Sequence, residues 1–229
     1  MRQTLIDHFP MLSALLLAVG FALPAQADDV TVADVNGNQL TYSYDSADGP
    51  ATFKAVKTYA ADAEKAGHIV IADNVTDANN VSHEVKYISG SVGNRGSIVS
   101  IVFGQNIVAT GGPTGESGDA FYSCSKLTKV TLNAKLEILG NYTFQNCTAL
   151  TDINLEDAVS LTTIRRQALE GLPLTSLIIP ASVTTVGYQA FRSMSQLKTV
   201  TVLASIESFD GGFSNTNNVE TIICYGENL

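Results

Sequence analysis

The feature that most constrains this chain is a short apolar phrase that returns at a nearly constant spacing. Its best copy, Leu-Thr-Lys-Val-Thr-Leu, begins at Leu127, and related phrases begin at Leu150, Leu174, Leu197 and Val219. Self-similarity at a fixed period of this size is typical of a solenoid, in which each repeat buries its apolar face by stacking on its neighbours. The repeats therefore predict a β-rich solenoid.

Two further apolar positions follow each phrase. Phe144 stands at the same distance after Leu127 as Phe191 does after Leu174. Leu169 and Phe213 occupy the corresponding place in the other repeats. Between phrase and aromatic lies a hydrophobic return segment, at residues 136–138, 161–164, 183–186 and 206–209. We therefore expect three apolar walls in each repeat.

A sixth copy of the phrase lies upstream, at residues 98–103. Its next landmark, Ala120-Phe121, arrives late, because extra residues are inserted within 111–118. The density of Gly and Pro in this insertion predicts a surface loop.

The most complete copy, residues 174–191, is Leu-Thr-Ser-Leu-Ile-Ile-Pro-Ala-Ser-Val-Thr-Thr-Val-Gly-Tyr-Gln-Ala-Phe. It resembles the repeat of the BspA-like leucine-rich-repeat proteins, and the resemblance covers roughly residues 98–225. The resemblance implies a solenoid of about six repeats at residues 95–229, with one short parallel strand per coil, behind a strand-rich N-terminal cap at residues 28–94. It also implies a secreted or cell-surface protein with an adhesion or host-interaction role.

The N-terminal segment that ends at Ala27 has a different character. An apolar run at residues 11–23 precedes Pro24-Ala25-Gln26-Ala27, whose small residues suit signal-peptidase cleavage before Asp28. The run is shorter than the roughly 20 residues that span a bilayer. We therefore expect a signal peptide at residues 1–27 and an exported, extracellular or cell-surface protein with no transmembrane span in the mature chain. An uncleaved anchor and a periplasmic location are the alternatives.

No repeat phrase can be read between residues 28 and 94. Short alternating runs at residues 40–44, 51–56, 68–71 and 83–88 are separated by turn-forming clusters, which predicts short β-strands. The Ala-rich residues 58–66 leave a helical turn open.

Cysteines and histidines offer little chemistry. Cys124 and Cys147 lie one repeat apart, so either two buried thiols or a disulfide between adjacent coils fits them, and Cys224 takes an inward position in the last phrase. His68 and His83 fall in predicted strands with no second ligand at metal-binding spacing. No nucleotide-binding or hydrolase motif occurs, so the sequence predicts no enzyme, metal or cofactor.

The outward columns of the phrases are the candidate binding face. The first, fourth and sixth residues of each phrase are apolar and are expected to point inward, so the third and fifth point outward. In the upstream copy these are Ser100 and Val102. In the regular repeats they are Lys129, Thr131, Asp152, Asn154, Ser176, Ile178, Thr199, Thr201, Thr221 and Ile223. Either these residues contact a protein or glycan, or Thr and Val stand there for strand propensity alone.

Charge narrows the class of partner. The formal net charge of −9 argues against nucleic acid, whose phosphates are neutralised by Lys and Arg. A non-catalytic module for protein or host interaction fits best, and an envelope glycan-binding or hydrolase-accessory protein is the alternative. Sugar platforms favour exposed aromatic rings, whereas this chain has no Trp and, among its outward strand positions, one Tyr at 225.

Overall fold

The computed structural model describes residues 28–44, 49–93 and 95–225. The predicted signal peptide lies outside the described residues. The described part is strand-rich and almost free of helix, with two 3₁₀ turns, Arg95–Ser97 and Leu155–Asp157.

Six strands precede the regular repeats, in the region where alternation predicted strands. Thr58 ends a strand, and residues 59–66 contain bends and a turn and no helix. The six strands are β1 (Asp28–Ala33), β2 (Gln39–Tyr44), β3 (Ala51–Thr58), β4 (His68–Val70), β5 (Asn74–Thr76) and β6 (Ser82–Gly93).

Two aspartates shape the tight turns of this region. Asp34 Oδ1 accepts the N–H groups of Asn36 and Asn38, each at 2.9 Å, in the turn between β1 and β2. Asp77 Oδ1 binds the N–H groups of Asn79 and Val81 in the same way, at 2.8 Å, between β5 and β6. Asp side chains favour such turns because they satisfy nearby backbone donors that the turn leaves without partners.

Each repeat before the last phrase contributes two strands, not the one predicted, because the return segments also pair with one another. The phrases form β7 (Ser100–Val102), β9 (Lys129–Thr131), β11 (Asp152–Ile153), β13 (Ser176–Ile179), β15 (Thr199–Val202) and β17 (Thr221–Cys224). The return segments form β8 (Ala109–Thr110), β10 (Ile138–Leu139), β12 (Thr163–Ile164), β14 (Thr185–Val186) and β16 (Ser208–Phe209).

The return strands stack as one parallel ladder, which we call the return ladder. It runs β6-β8-β10-β12-β14-β16 and continues through β3 and β2 to β1. The strands from the phrases form a second set, the phrase ladder, in two parts: β4-β7-β9-β11 and β13-β15-β17. Both ladders thus begin with strands that precede residue 94, and the division of the chain at that residue stays a prediction.

A third wall of the repeats is joined by backbone hydrogen bonds. The Phe121 N–H donates to the Thr143 carbonyl at 2.8 Å, and the Phe144 N–H donates to the Ala168 carbonyl at 2.9 Å. In each repeat, the residue two places before the Phe or Leu of this wall has a positive φ. Tyr142 at 54° and Gln189 at 55° are examples. Left-handed backbone costs a non-glycine residue about 1–2 kcal/mol, and the regular inter-repeat bonds offset this cost.

The core is continuous between the walls. Phe121 stacks on Phe144 with centroids 5.5 Å apart, and Phe191 stacks on Phe213 at 5.0 Å. Phe191 is fully buried, as predicted, whereas Phe213 in the last repeat is only partly buried.

The cysteines are free thiols. Cys124 and Cys147 are buried, and the Cys147 Sγ lies 3.1 Å from the Phe121 carbonyl oxygen. The contact with the Cys124 thiol, together with burial, raises the pKa of Cys147. Cys224, predicted to point into the core, is exposed, because β17 is the last strand of its ladder and nothing in the described residues packs over it.

Candidate functional site

The predicted binding residues lie on the outer surface of the phrase ladder. Their inward neighbours Val130, Leu177 and Val200 are at most 3% exposed, so the side chains alternate as predicted. Five of the ten candidates are half-buried, namely Thr131, Asn154, Ile178, Thr199 and Thr201. The other five are exposed, namely Lys129, Asp152, Ser176, Thr221 and Ile223.

Strand register brings the candidates into columns. Ser176, Thr199 and Thr221 are successive partners on β13, β15 and β17. Ile178, Thr201 and Ile223 form the next column of the same three strands. This half of the face is a patch of small and β-branched side chains.

The other half of the face contains an ion pair. Lys129 and Asp152 are partners on β9 and β11, and the Lys129 Nζ lies 2.7 Å from the Asp152 Oδ2. Both side chains are more than half exposed, at 57% and 56%, where such pairs contribute about 0–1 kcal/mol. The pair cancels its own charge, so it leaves this half of the face without a net charge.

The candidate face is interrupted between β11 and β13, which do not pair. The chain leaves the ladder at the 3₁₀ turn Leu155–Asp157 that follows β11. A cleft of about 150 Å³ opens there, lined among others by Asp152, Glu156, Leu174 and Ser176. The face is therefore two neighbouring patches, whereas the repeat pattern predicted one unbroken column.

Asn154 has a structural contact that the sequence did not indicate. Its Oδ1 accepts the Leu132 N–H at 2.7 Å, and its Nδ2 donates to the Leu132 carbonyl at 3.2 Å. The side-chain amide thus satisfies a strand end that the interrupted ladder leaves without a backbone partner. The only sequence signal is the spacing from Leu150 to Leu174, the longest among the regular repeats.

The sequence also missed that β4 belongs to the phrase ladder. His68 pairs with Ser100 in parallel register, and Ile69 with Ile101. The spacing from His68 to Ser100 is longer than the period of the regular repeats, and this hides the relation.

Both histidines take part in packing contacts. The His68 Nδ1 lies 2.8 Å from the Ser100 Oγ. His83 is buried, stacks on Tyr44 with centroids 4.1 Å apart, and places its Nε2 3.4 Å from the Asp77 Oδ2. In residues 28–44, 49–93 and 95–225, no three His, Cys, Asp or Glu side chains are grouped closely enough to hold a metal ion.

The part of the chain that the structure describes also holds no helix with the length and apolarity that crossing a bilayer requires.

Comparison with known structures places this architecture among bacterial repeat proteins. A leucine-rich repeat protein from Bacteroides ovatus is 22% identical, with a TM-score of 0.61 over 80% of this chain and 45% of that one. A leucine rich cell surface protein from Faecalibacterium prausnitzii is 18% identical, with a TM-score of 0.36 over 78% and 56%. The pneumococcal vaccine antigen PcpA is 21% identical, with a TM-score of 0.48 over 76% and 50%. This chain thus spans about half the length of these proteins, and the Bacteroides ovatus likeness shows a shared fold.

Sequence comparison identifies the repeats directly. No curated protein matches the chain. Residues 117–228 match the model of the BspA type leucine rich repeat region in six copies. Five of the six predicted phrases, those from Leu127 onward, lie within the matched range, which begins after Ile98. Residues 117–228 of this chain thus form a BspA type leucine rich repeat region.

Proposed function

We propose that this protein is an exported, non-catalytic binding module that engages a protein partner through the outer face of the phrase ladder. The observation that carries the proposal is the pair of columns on β13, β15 and β17. Ser176, Thr199 and Thr221 stand beside a second column that ends in Ile223. Strand backbones are already paired there, so the patch presents side chains without unsatisfied main-chain groups between strands.

The proposed architecture is a solenoid, with residues 28–94 as its N-terminal cap and residues 95–229 as its repeats. Two parallel ladders and a third hydrogen-bonded wall recur in each repeat, as expected when coils stack at the spacing of about 4.8 Å between strands. Stacked repeats create extended surfaces for recognition. The outer face of β13, β15 and β17 presents side chains from three paired strands, which suits a folded protein partner better than a small ligand, because small ligands favour concave sites.

The proposed cap is supported by side chains that hydrogen-bond to backbone groups at the free edge of β4. The Asp34 Oδ2 accepts the Val70 N–H at 3.0 Å, and the Asn36 Nδ2 donates to the His68 carbonyl at 2.7 Å. The Tyr42 hydroxyl accepts the Ala72 N–H at 3.1 Å. Terminal segments of repeat proteins need such atypical contacts to close the ladder.

Two arguments support export. Residues 1–27 have the pattern of a signal peptide, and the resemblance to the BspA-like proteins implies a role in adhesion or host interaction. The direct test is expression with the native N-terminus, followed by mass spectrometry of the product. A mature N-terminus at Asp28 outside the cytoplasm supports the proposal. Retention of residues 1–27 on a cytoplasmic product contradicts it.

The partner class is tested by presenting the exported protein to two arrays, one of immobilised extracellular-matrix proteins and one of cell-envelope glycans. Saturable binding to a matrix protein, lost with Thr199→Arg and kept with Thr162→Arg beside the return ladder, supports the proposal. Binding confined to glycans selects the accessory role in the envelope instead. Equal loss with both variants rejects the phrase ladder as the site.

A further inference from the structure

A groove on the return ladder brings together positive charge, an aromatic ring and hydroxyl groups. It lies on the opposite ladder from the proposed protein-binding face and does not depend on that proposal. Its volume is about 190 Å³. Its lining includes Asn141, Thr163, Arg165, Arg166, Thr185 and Tyr188.

Among the residues that the structure describes, the Arg166 guanidinium group has no carboxylate partner. Among the described arginines, the other three each lie within 4 Å of an acidic side chain, at 3.9, 3.3 and 3.6 Å. Arg166 instead lies between two tyrosines, 5.9 Å from the ring centroid of Tyr142 and 5.0 Å from that of Tyr188. Its Nε donates to the Gln167 Oε1 at 3.0 Å. These contacts orient the cation and leave the outer edge of its guanidinium group available.

The inserted loop at residues 111–118 packs against Arg165, which lines the groove. Gly115 packs so closely that a Cβ added there would clash with the Ile138 Cγ2 and lie 3.1 Å from the Arg165 Nε. The Arg165 Nε is buried and has no hydrogen-bond partner in the described part of the chain. Its Nη1 lies 3.3 Å from Glu116 Oε1, but Glu116 is 65% exposed. Arg165 is therefore fixed beside the groove with only a weak, solvent-screened counter-charge.

Uncharged hydrogen-bonding groups stand beside the arginines. Thr163 and Thr185 are register partners on β12 and β14, and the Thr185 hydroxyl has no partner among the described residues. The Asn141 Nδ2 donates to the Glu116 carbonyl at 3.3 Å, which leaves its Oδ1 as an acceptor. The Tyr188 ring is 42% exposed at the rim.

We propose that this groove binds a saccharide that carries a carboxylate, such as a hexuronic acid. A carboxylate matches the planar fork of Arg166. The C–H face of a sugar ring fits against Tyr188, and the threonines and Asn141 match its hydroxyl groups. Carboxylate alone would leave the hydroxyl-binding side chains unused, and a neutral sugar would leave the guanidinium without a partner.

The net charge of the chain does not prevent this binding. The chain carries −9 overall, but at about 0.15 M salt the field of distant charges is screened beyond roughly 8 Å. The contact with Arg166 is closer than this distance. Local charge therefore dominates over the acidic character of the whole molecule.

The test is a titration of the full exported protein with sodium glucuronate, followed by NMR of the arginine Nε–Hε signals. The Arg166 signal is identified by its loss in Arg166→Gln. We expect it to shift with a Kd of about 1 mM, the weak affinity of a single small ligand. Absence of a shift at about ten times that concentration overturns the proposal.

Two probes separate the parts of the ligand. Glucose differs from glucuronate in lacking the carboxylate, and we expect it to bind at least about tenfold more weakly. Acetate supplies the carboxylate without the ring, and we expect a similar loss. Equal binding of glucose rejects the role of Arg166, and equal binding of acetate rejects the saccharide.

Two variants and one control locate the site. Arg166→Gln and Tyr188→Leu should each weaken glucuronate binding by about tenfold. Arg192→Gln is the matched control, because Arg192 lies in the next repeat and does not line the groove; it should retain wild-type affinity. Should Arg166→Gln melt earlier than wild type, Tyr188→Leu decides, because its side chain is exposed. Unchanged binding in a folded Tyr188→Leu protein overturns the site.

Discussion

The side chain of Asn154 binds both backbone groups of Leu132, as the next strand of an unbroken ladder would. Its Oδ1 accepts at 2.7 Å and its Nδ2 donates at 3.2 Å. Asn154 therefore holds the interrupted edge of β9 and β11 together, although the sequence pattern placed it among ligand contacts. A residue at a binding position can thus be constrained by the fold alone.

Replacing Asn154 tests this assignment. We expect Asn154→Ala to lower the free energy of unfolding by about 1–3 kcal/mol, because it leaves the Leu132 N–H and carbonyl without partners. Urea denaturation followed by circular dichroism gives the value. Thr131→Ala on the adjacent strand serves as the control and should cost less. A loss for Asn154→Ala below that of the control would contradict the structural role.

The burial of the stacked aromatic rings predicts how much stability each ring contributes. Phe191 is fully buried, so Phe191→Ala should cost about 3–5 kcal/mol. Phe213 is only partly buried, so Phe213→Ala should cost clearly less. Thermal melts of both variants provide the comparison. A Phe191→Ala protein that melts within a degree or two of wild type would show that the repeat register is wrong.

The left-handed turn at Gln189 predicts an unusual order of stability among its substitutions. With φ at 55°, Gln189→Gly relieves strain and should change the free energy of unfolding by less than about 1 kcal/mol. Gln189→Val should be the more destabilising, because a β-branched residue resists positive φ. Chemical denaturation of both variants gives the order. The same pair at Gln145, which lacks a positive φ, should not favour Gly, and an identical order at both sites would reject the strain argument.

Asp77 predicts how stability changes in acid. The Val81 N–H is the main cause that lowers the pKa of the Asp77 carboxyl, with His83 and the Asn79 N–H acting in the same direction and burial opposing them. Because the folded pKa lies below the unfolded value, the stabilisation is present above the unfolded pKa of about 4 and is lost as pH falls through the folded pKa.

Denaturant titrations across roughly pH 3 to 7 measure this contribution. Asp77→Asn should be less stable than wild type at neutral pH, and the difference should shrink as the pH falls. Asp29→Asn, at an exposed strand position, provides the control and should track wild type throughout. A constant difference between Asp77→Asn and wild type at every pH would exclude the ionised carboxylate as its source.

The periodicity of apolar residues predicted which side chains are buried. It did not predict which return segments pair through their backbones. The inward positions Leu127, Val130 and Leu132 are all buried, because the alternation of side chains follows directly from strand geometry. The return strands were missed as a ladder, since segments as short as the one at Thr163 or Thr185 are too brief to show an alternating pattern.

Contacts between distant segments were equally inaccessible from the sequence. The groove formed by Arg166 and Tyr188 depends on the stacking of two successive repeats. Arg166 is not one of the apolar positions of the repeat, so the periodicity of apolar residues could not indicate it. The exposure of Cys224 likewise follows from its place on the last strand of the ladder and not from its position within the phrase.

The proposed protein-binding face predicts that affinity depends on shape more than on charge. Its columns on β13, β15 and β17 hold no ionised side chain, so binding should rest on a few desolvated contacts and should change little between low and high salt. Ser176→Glu and Thr199→Arg place charge within the patch and should weaken binding.

The same two variants control for folding and decide the location of the site. Since both side chains point away from the core, the free energy of unfolding should change by no more than about 0.5 kcal/mol. Surface plasmon resonance at two salt concentrations, with the partner taken from the matrix-protein array, measures affinity and its salt dependence. Unchanged affinity in both folded variants would end the proposal for this face and move the site to the loop at residues 111–118 or to the N-terminal cap.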